Sequence, residues 1–326
     1  MALPDWTFVR LNASVFKMKT MPYEDCVVTG GAGMIGSELV SVLCRRGVRS
    51  KILDDFSTKR YKNTHAGVEL VRGDITDATT CKKAINTDLV FHLAGRPTIK
   101  DGLDKPGDTF IKGVLGTVNV LEAMRANDAK SIVFASSAMI YGNLASERPM
   151  EDYGPLIPAS IYGASKLACE NLICSYCKTY GFRSYIYRLS NIVGSNSNHG
   201  VIRDFVLKLK ENPEEMDILG NGNQERSFVY VSDCVAGMLH ALDKASDQIN
   251  VFNLGNSDKV SIREVATIVS SELGLAPQFH FEKSMYGKSD LRALLMDSSR
   301  LESLGWKCSL SSREAVKKCV RDMVLL

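Results

Sequence analysis

Apolar and polar positions alternate with two different periods along the chain up to about residue 192. Short apolar runs are separated by longer segments whose apolar residues recur every three or four positions. The runs predict strands at 26–28, 51–53, 69–72, 88–93, 131–135 and 185–189. The longer segments predict helices over 34–46, 108–125 and 161–180, with a further helix starting near Asp77. This alternation predicts an α/β fold with a doubly wound parallel sheet.

The pattern is less regular beyond residue 192. Short helical and strand-like segments are separated there by polar loops such as 220–224, and no linker is long enough to make this half an independent unit. We therefore expect a smaller C-terminal α/β lobe at 192–326, interleaved with the sheet-forming region at 21–191. Residues 1–20 mix aromatic and basic side chains and are predicted to be an N-terminal extension.

The turn between the first predicted strand and the first predicted helix contains glycines at three-residue spacing, Gly30, Gly33 and Gly36. Glycine allows a tight strand-to-helix turn, close approach of the backbone to a pyrophosphate, and close packing of the helix on the sheet. Backbone N–H groups at the helix N-terminus then face the phosphate charge. Because a strand precedes the turn and a helix follows it, the segment predicts a dinucleotide site.

An acidic pair, Asp54 and Asp55, closes the second predicted strand. A carboxylate about twenty residues beyond the glycine turn accepts hydrogen bonds from the adenosine 2′-OH and repels a 2′-phosphate, which favours NAD over NADP. Asp54 is the better candidate because it directly follows the strand. Lys59 and Arg60 nearby leave NADP as an alternative, and a solvated turn is the other alternative.

Two further strand ends carry residues suited to a ligand. Asp74 follows the third strand, where its carboxylate would accept from the adenine amino group or cap the next helix. Ala94 and Gly95 follow the fourth strand, and small residues there leave space for a ligand in the crevice above the sheet. His92 lies within the apolar run of that strand, so we predict a buried histidine rather than a base.

Composition narrows the possible partners. The 326-residue chain has a formal net charge of +3, and no basic block is interleaved with aromatic residues, so we do not expect nucleic acid as a partner. No apolar run reaches the length of a membrane span. Nine scattered cysteines predict reduced thiols and a cytoplasmic location. Cys174 and Cys177 are predicted to be buried helix cysteines, and no metal site is expected.

Tyr162 and Lys166 are four residues apart on the predicted helix 161–180, so both side chains project from one face. A phenol with a pKa of about 10 is a poor base at neutral pH. A nearby ammonium and a cationic nicotinamide ring would both lower that pKa. Ser137, at the end of the fifth strand, would hydrogen-bond the reacting oxygen. These residues predict a catalytic Ser137, Tyr162 and Lys166, with an incidental pair on an amphipathic helix as the alternative.

These segments together resemble the extended short-chain dehydrogenases/reductases, in the NAD-dependent sugar-nucleotide epimerase/dehydratase family. The resemblance extends from about Cys26 to the C-terminus. It implies a Rossmann-type fold, NAD as cofactor, a nucleotide-diphosphate sugar as substrate, and a homodimer. It rests on segments 29–36, 54, 73–75, 92–95, 116–117, 136–142, 162–166, 188–191, 226–233, 252–255 and 304–306.

The resemblance also implies which residues contact each ligand. Arg226 is supported by its residue type, because a guanidinium binds a diphosphate through paired hydrogen bonds, although a solvated surface position is the alternative. The implied cofactor contacts are Gly30, Gly33, Met34, Ile35, Asp54, Asp74, Ile75, Leu93, Ala94, Gly95, Tyr162 and Lys166. The implied substrate contacts are Ser137, Ala138, Tyr162, Asn191, Arg226 and Asp290.

Ala138 and Met139 stand where dehydratases of this family carry an acidic pair, and neither side chain transfers a proton. The pattern at 136–142 is instead similar to the UDP-sugar 4-epimerases, which implies epimerisation through a transient 4-keto intermediate. The alternatives are a 4,6-dehydratase or 4-ketoreductase on the same scaffold, and a non-catalytic nucleotide-sensing module. Apolar residues on several faces of helices 108–125 and 161–180 predict a helix-paired homodimer.

Overall fold

The computed structural model of the protein describes residues 22–57, 67–95, 104–144, 148–282 and 295–325. The N-terminal extension predicted at 1–20 and the predicted substrate contact Asp290 lie outside the described residues. Lys59 and Arg60, which leave NADP as an alternative, lie outside them as well.

The first half of the chain alternates strands and helices as the hydrophobic pattern predicts. The strands are β1 (Asp25–Thr29), β2 (Arg49–Asp54), β3 (Val68–Arg72), β4 (Leu89–His92), β5 (Ser131–Ser137) and β6 (Arg183–Leu189). The helices are α1 (Met34–Arg45), α2 (Ala78–Ala84), α3 (Pro106–Ala126) and α4 (Ile161–Tyr180), and a 3-10 turn (Ala138–Tyr141) follows β5. Gly47 has a φ of +76° just beyond α1, which confirms the predicted helix end.

The second half contains shorter strands among helices. Its elements are β7 (Asn191–Val193), α5 (Val201–Glu211), β8 (Glu215–Leu219), β9 (Glu225–Arg226), β10 (Phe228–Tyr230), α6 (Val231–Lys244), β11 (Ile249–Leu254), β12 (Val260–Ser261), α7 (Ile262–Glu272), β13 (Gln278–Glu282), α8 (Ser299–Ser303) and α9 (Ser312–Val324). Three two-stranded ladders form here: β7 with β10 and β8 with β13 are parallel, and β9 with β12 is antiparallel.

The central sheet has seven parallel strands in the order β11-β6-β5-β4-β1-β2-β3. The predicted α/β class with a Rossmann-type doubly wound sheet is therefore confirmed. The seventh strand, β11, lies within 192–326 and pairs with β6, a partnership that the sequence analysis does not predict. β1 lies between β2 and β4, where the strand order reverses, and ligands of such sheets bind at the carboxyl ends of the strands on either side of this reversal.

Helices cover both faces of the sheet. On one face, α1 and α6 pack on a buried apolar cluster that includes Leu39 and Met238. On the other face, α2, α3 and α4 pack on a second cluster that includes Val120 and Ile173. A third cluster joins α5, α7 and α9 within the second half of the chain. Burial on both faces explains why the strands are apolar runs rather than alternating patterns.

Candidate active site

The glycine turn after β1 lies against the end of β4. Gly30 has a φ of +70°, and a Cβ added to it would lie only 2.6 Å from the backbone nitrogen of Ala94. Gly33 immediately precedes α1, and its backbone nitrogen donates to the Gly30 carbonyl at 3.1 Å. The turn thus leaves backbone rather than side chains facing the crevice at the N-terminus of α1. This arrangement fits the pyrophosphate of a dinucleotide.

Asp54 ends β2 beside this turn. Its Oδ2 accepts a hydrogen bond from the Ala32 backbone nitrogen at 2.9 Å, and its Oδ1 accepts from the Phe56 nitrogen at 2.8 Å. Burial raises the pKa of the Asp54 carboxyl, while these two backbone hydrogen bonds lower it. Asp55 is exposed and accepts only from the Ser57 nitrogen among its described contacts. The geometry therefore supports the choice of Asp54 over Asp55, and its ribose contact stays a prediction.

The predicted adenine-side residues follow β3. Asp77 caps α2 by accepting a hydrogen bond from the Thr79 nitrogen at 2.9 Å. Asp74 instead accepts a hydrogen bond from the Thr76 nitrogen at 2.8 Å, in the turn before this helix. The helix-cap alternative for Asp74 is therefore wrong, because Asp77 occupies that position. The Ile75 carbonyl accepts from the Asn119 amide at 2.9 Å, which fixes this segment on α3.

His92 is fully enclosed at the end of β4. Its Nδ1 lies 2.8 Å from the Thr29 Oγ1, and its Nε2 lies 3.0 Å from the Thr117 Oγ1. Burial, together with the nearby charge of Lys166, lowers the pKa of His92 to about 3. A neutral ring with both nitrogens occupied confirms the prediction of a buried histidine rather than a base.

Ser137, Tyr162 and Lys166 meet where β5 ends and α4 begins. The Ser137 hydroxyl lies close enough to the Tyr162 hydroxyl to lower the pKa of that phenol, and Ser137 Oγ accepts from the Met139 nitrogen at 3.2 Å. Lys166 Nζ donates to the Ala135 carbonyl at 2.7 Å. A Cβ added to Gly95 would lie 3.6 Å from this Nζ, so the loop after β4 borders the same space.

The surroundings of Tyr162 raise the pKa of its phenol. Burial raises that pKa to about 12, and the nearby Ser137 hydroxyl offsets only part of the shift. The Lys166 ammonium donates to Ala135 and lies 6.0 Å from the centre of the Tyr162 ring, and burial lowers its own pKa. The expectation that this ammonium and a nicotinamide ring together lower the pKa of Tyr162 stays a prediction.

The predicted substrate contacts Ala138, Asn191 and Arg226 lie in two parts of the fold, after β5 and in the second half of the chain. Ala138 is buried directly after Ser137. Asn191 begins β7, and its side-chain amide donates to the Ser227 carbonyl at 3.0 Å, directly after Arg226. The Nη1 of Arg226 donates to the Glu225 carbonyl at 2.9 Å. The structure thus brings Asn191 and Arg226 into neighbouring segments.

Met34 and Ile35 behave differently from the other predicted cofactor contacts. Both side chains pack on the apolar cluster of the second half of the chain, and the Met34 sulfur accepts from the Ser197 hydroxyl at 2.9 Å. Their side chains therefore join the first turn of α1 to the C-terminal half. Only their backbone N–H groups, at the helix N-terminus, remain suited to a phosphate.

The nine cysteines are all free thiols. Cys177 is buried and Cys174 is half-buried on α4. Within the ranges that the structure describes, no group of three or more histidine, cysteine, aspartate or glutamate side chains is placed to hold a metal ion. Within the same ranges, no helix combines the length and apolar character needed to span a bilayer.

The family model for the NAD dependent epimerase/dehydratase family matches residues 26–255 of the chain. A putative UDP-glucose 4-epimerase of Methanocaldococcus jannaschii is 34% identical over 305 residues, which cover 91% of this chain and 97% of that protein. The chain belongs to the NAD dependent epimerase/dehydratase family. It is therefore an NAD-dependent enzyme of this family, and the identification from sequence motifs is confirmed.

Solved structures in the same family agree with the fold. A UDP-galactose 4-epimerase has 35% sequence identity and a TM-score of 0.85, with 92% of this chain and 99% of that chain covered. The Thermus thermophilus UDP-glucose 4-epimerase in complex with NAD has 29% identity, the same TM-score and the same coverage. UDP-glucuronic acid decarboxylase 1 of Arabidopsis thaliana is a further relative, 28% identical over 91% of this chain and 69% of that protein. The scaffold thus occurs with more than one reaction.

One pair of buried residues near the site is absent from the sequence predictions. Glu170 and Arg188 form an ion pair with side chains 5% and 7% exposed. Glu170 lies four residues after Lys166, so the helical spacing predicts that both lie on the same face of α4. The partner strand β6 is distant in sequence, and the hydrophobic pattern does not indicate the contact.

Proposed function

We propose that the protein is a UDP-sugar 4-epimerase that works through a transient 4-keto sugar. The observation that carries the proposal is the placement of Ser137 beside Tyr162, with Lys166 one helical turn further along α4. The two residues after Ser137, Ala138 and Met139, have no group that transfers a proton. Proton transfer is thereby concentrated on one phenol, which suits oxidation and reduction at a single carbon better than elimination of water.

NAD, when bound, supplies a hydride acceptor and a positive charge on its nicotinamide ring. Tyr162 would take the proton of the sugar 4-hydroxyl and return it. Ser137 would hold the reacting oxygen through its hydroxyl. Lys166, which is bonded to Ala135 at 2.7 Å and lies beside Gly95, would bind the nicotinamide ribose.

The remaining ligand contacts follow from the same placement. The turn at Gly30 and Gly33 would hold the pyrophosphate of NAD, and Asp54 would accept from the adenosine ribose. On the substrate side, Asn191 and Arg226 would bind the sugar diphosphate, since the structure brings their segments together. The lobe at 192–326 would then supply most contacts of the second ligand.

Two further features belong to this proposal. A homodimer is supported by exposed apolar side chains on α3, where Ile111 is 58% exposed and Leu115 is 41% exposed, beside α4. A cytoplasmic location is supported by the nine free thiols, since reducing compartments keep thiols free.

The test of the proposed reaction is incubation with UDP-, GDP-, CDP- and dTDP-sugars, with products identified by NMR. We expect interconversion of UDP-glucose and UDP-galactose without net formation of NADH. Release of a 4-keto-6-deoxy sugar would indicate a dehydratase instead, and stoichiometric consumption of NADH would indicate a ketoreductase. Tyr162→Phe should lower the rate by about 100-fold or more, while Tyr187→Phe, at a buried tyrosine on β6, should not.

A further inference from the structure

The face of α4 that carries Tyr162 and Lys166 continues to a buried carboxylate. Glu170 follows Lys166 by four residues and is buried. Its charge raises the pKa of Lys166, against the larger effect of burial. A carboxylate this deeply buried requires compensating partners.

Arg188, near the end of β6, is the principal partner of Glu170. Its Nε lies 3.3 Å from each carboxylate oxygen, and its Nη2 lies 3.0 Å from Oε2. Such paired contacts fix the relative orientation of both groups more tightly than a single hydrogen bond. The pair therefore joins α4 to β6 beneath the end of β5.

Each member of the pair also forms a hydrogen bond with a residue close to Ser137 in sequence. The hydroxyl of Ser136, the preceding residue, donates to Glu170 Oε1. Arg188 Nη1 donates at 2.8 Å to the hydroxyl of Tyr141, which ends the 3-10 turn that starts after Ser137. The Tyr141 hydroxyl in turn donates to Asn253 Oδ1 at 2.7 Å. The chain is thus held immediately before Ser137 and four residues after it.

We propose that Glu170 and Arg188 are positioning residues that fix Ser137 against Tyr162. The inference rests on the proposed function, in which the Ser137 hydroxyl must hold the reacting oxygen. Small displacements of a positioned group reduce the rate of a reaction steeply, without any change in the group itself. The ion pair acts through Ser136 and Tyr141 and does not itself touch the reacting atoms.

The test removes the two connections and keeps the ion pair. Replacing Glu170 or Arg188 alone would leave a buried charge unpaired and unfold the protein for an unrelated reason. Ser136→Ala and Tyr141→Phe each delete one hydroxyl. Matched controls delete a hydroxyl on β5 and on β6: Ser131→Ala removes a contact with Tyr23 at 2.8 Å, and Tyr187→Phe removes a bond to the Met238 carbonyl at 2.7 Å.

We expect each of Ser136→Ala and Tyr141→Phe to lower kcat for UDP-glucose by about fivefold to tenfold, with KM within about twofold of the wild type. The double variant should lose more than either. Ser136→Thr, which keeps the hydroxyl, should restore kcat. Retention of kcat within twofold in the double variant would overturn the proposal, as would an equal loss in the two control variants.

A second measurement does not depend on the proposed reaction. In crystal structures of the wild type and the double variant, the distance between the Ser137 and Tyr162 hydroxyls should be longer in the variant. An unchanged distance would refute the positioning role, whichever substrate the enzyme uses. If the wild type converts no UDP-sugar, the proposed function fails, and this structural comparison still decides the role of the pair.

Discussion

The Thr29 hydroxyl oxygen lies 2.8 Å from Nδ1 of His92, and this contact connects the glycine turn to the neighbouring strand. The Thr117 hydroxyl donates to the Gly113 carbonyl at 2.9 Å, which favours the tautomer whose Nε2 donates to Thr117. In that tautomer the Thr29 hydroxyl donates to Nδ1, while its oxygen accepts from the Ala94 nitrogen at 3.3 Å. A neutral His92 therefore fixes the loop that borders the predicted cofactor site.

The first prediction concerns the pH dependence of stability. Burial lowers the pKa of His92 to about 3 in the folded protein, from its ordinary value of 6.5 in the unfolded chain. Below pH 6.5 the unfolded chain binds a proton that the folded protein does not, so the free energy of unfolding falls as pH falls. The expected slope from this residue is about 1.4 kcal/mol per pH unit, and the contribution is complete above pH 6.5.

His92→Gln removes this titration and serves as the reference. Urea denaturation at pH 6 and pH 4 should show that the stability advantage of the wild type over the variant shrinks by about 2.5 kcal/mol. Parallel pH profiles for the two proteins would show that His92 is not held neutral.

A second prediction compares two glycines with nearly equal φ. Gly30→Ala and Gly47→Ala both place a side chain in the left-handed region, at +70° and +76°, which costs about 1–2 kcal/mol. Only at Gly30 does the new Cβ meet backbone, 2.6 Å from the Ala94 nitrogen, whereas nothing lies within 4 Å of it at Gly47. Gly30→Ala should therefore lose bound NAD and more stability than Gly47→Ala, measured by NAD content and urea denaturation. Equal effects would contradict the assigned turn.

A third prediction separates the two adjacent aspartates. Asp54→Asn should weaken NAD binding by about tenfold or more, because the carboxylate beside the glycine turn is lost. Asp55→Asn, at the exposed neighbour, should stay within about twofold of the wild type. Isothermal titration of NAD into protein freed of nucleotide measures both. A larger loss for Asp55→Asn would reverse the assignment of the ribose contact.

The fourth prediction concerns assembly. Ile111→Glu places a charge in the exposed apolar face of α3 and should convert a dimer to a monomer at micromolar concentration, measured by sedimentation velocity. Leu70→Glu, on the edge strand β3 at a residue 49% exposed, is the control and should leave the dimer intact. A monomeric wild-type protein would contradict the proposed homodimer.

Much of the first half could be predicted because its signals are local. Helix α4 begins at Ile161, where Ser160 caps it by accepting from the Gly163 nitrogen, and ends at Tyr180, before Gly181 at a φ of +76°. Helical spacing, a capping residue and a terminal glycine are all readable from neighbouring positions. The placement of Tyr162 and Lys166 on one face follows directly from such a helix.

The features that escaped prediction depend on partners distant in sequence. β11 joins the central sheet by pairing with β6, 65 residues earlier in the chain. The high pKa of Tyr162 reflects burial by surrounding segments rather than the lysine four residues away. In both cases tertiary contacts decide the outcome, and the hydrophobic period does not encode which segments meet.

The central claim is that the sugar is oxidised and reduced at one carbon, C4, within one enclosed site. The most direct test supplies UDP-glucose labelled with deuterium at C4 and follows the UDP-galactose formed by NMR and mass spectrometry. The proposed reaction predicts that the product keeps its deuterium at C4 and that no NADH is released. Loss of the label to solvent, or its appearance at C6 in a 4-keto-6-deoxy product, would contradict it.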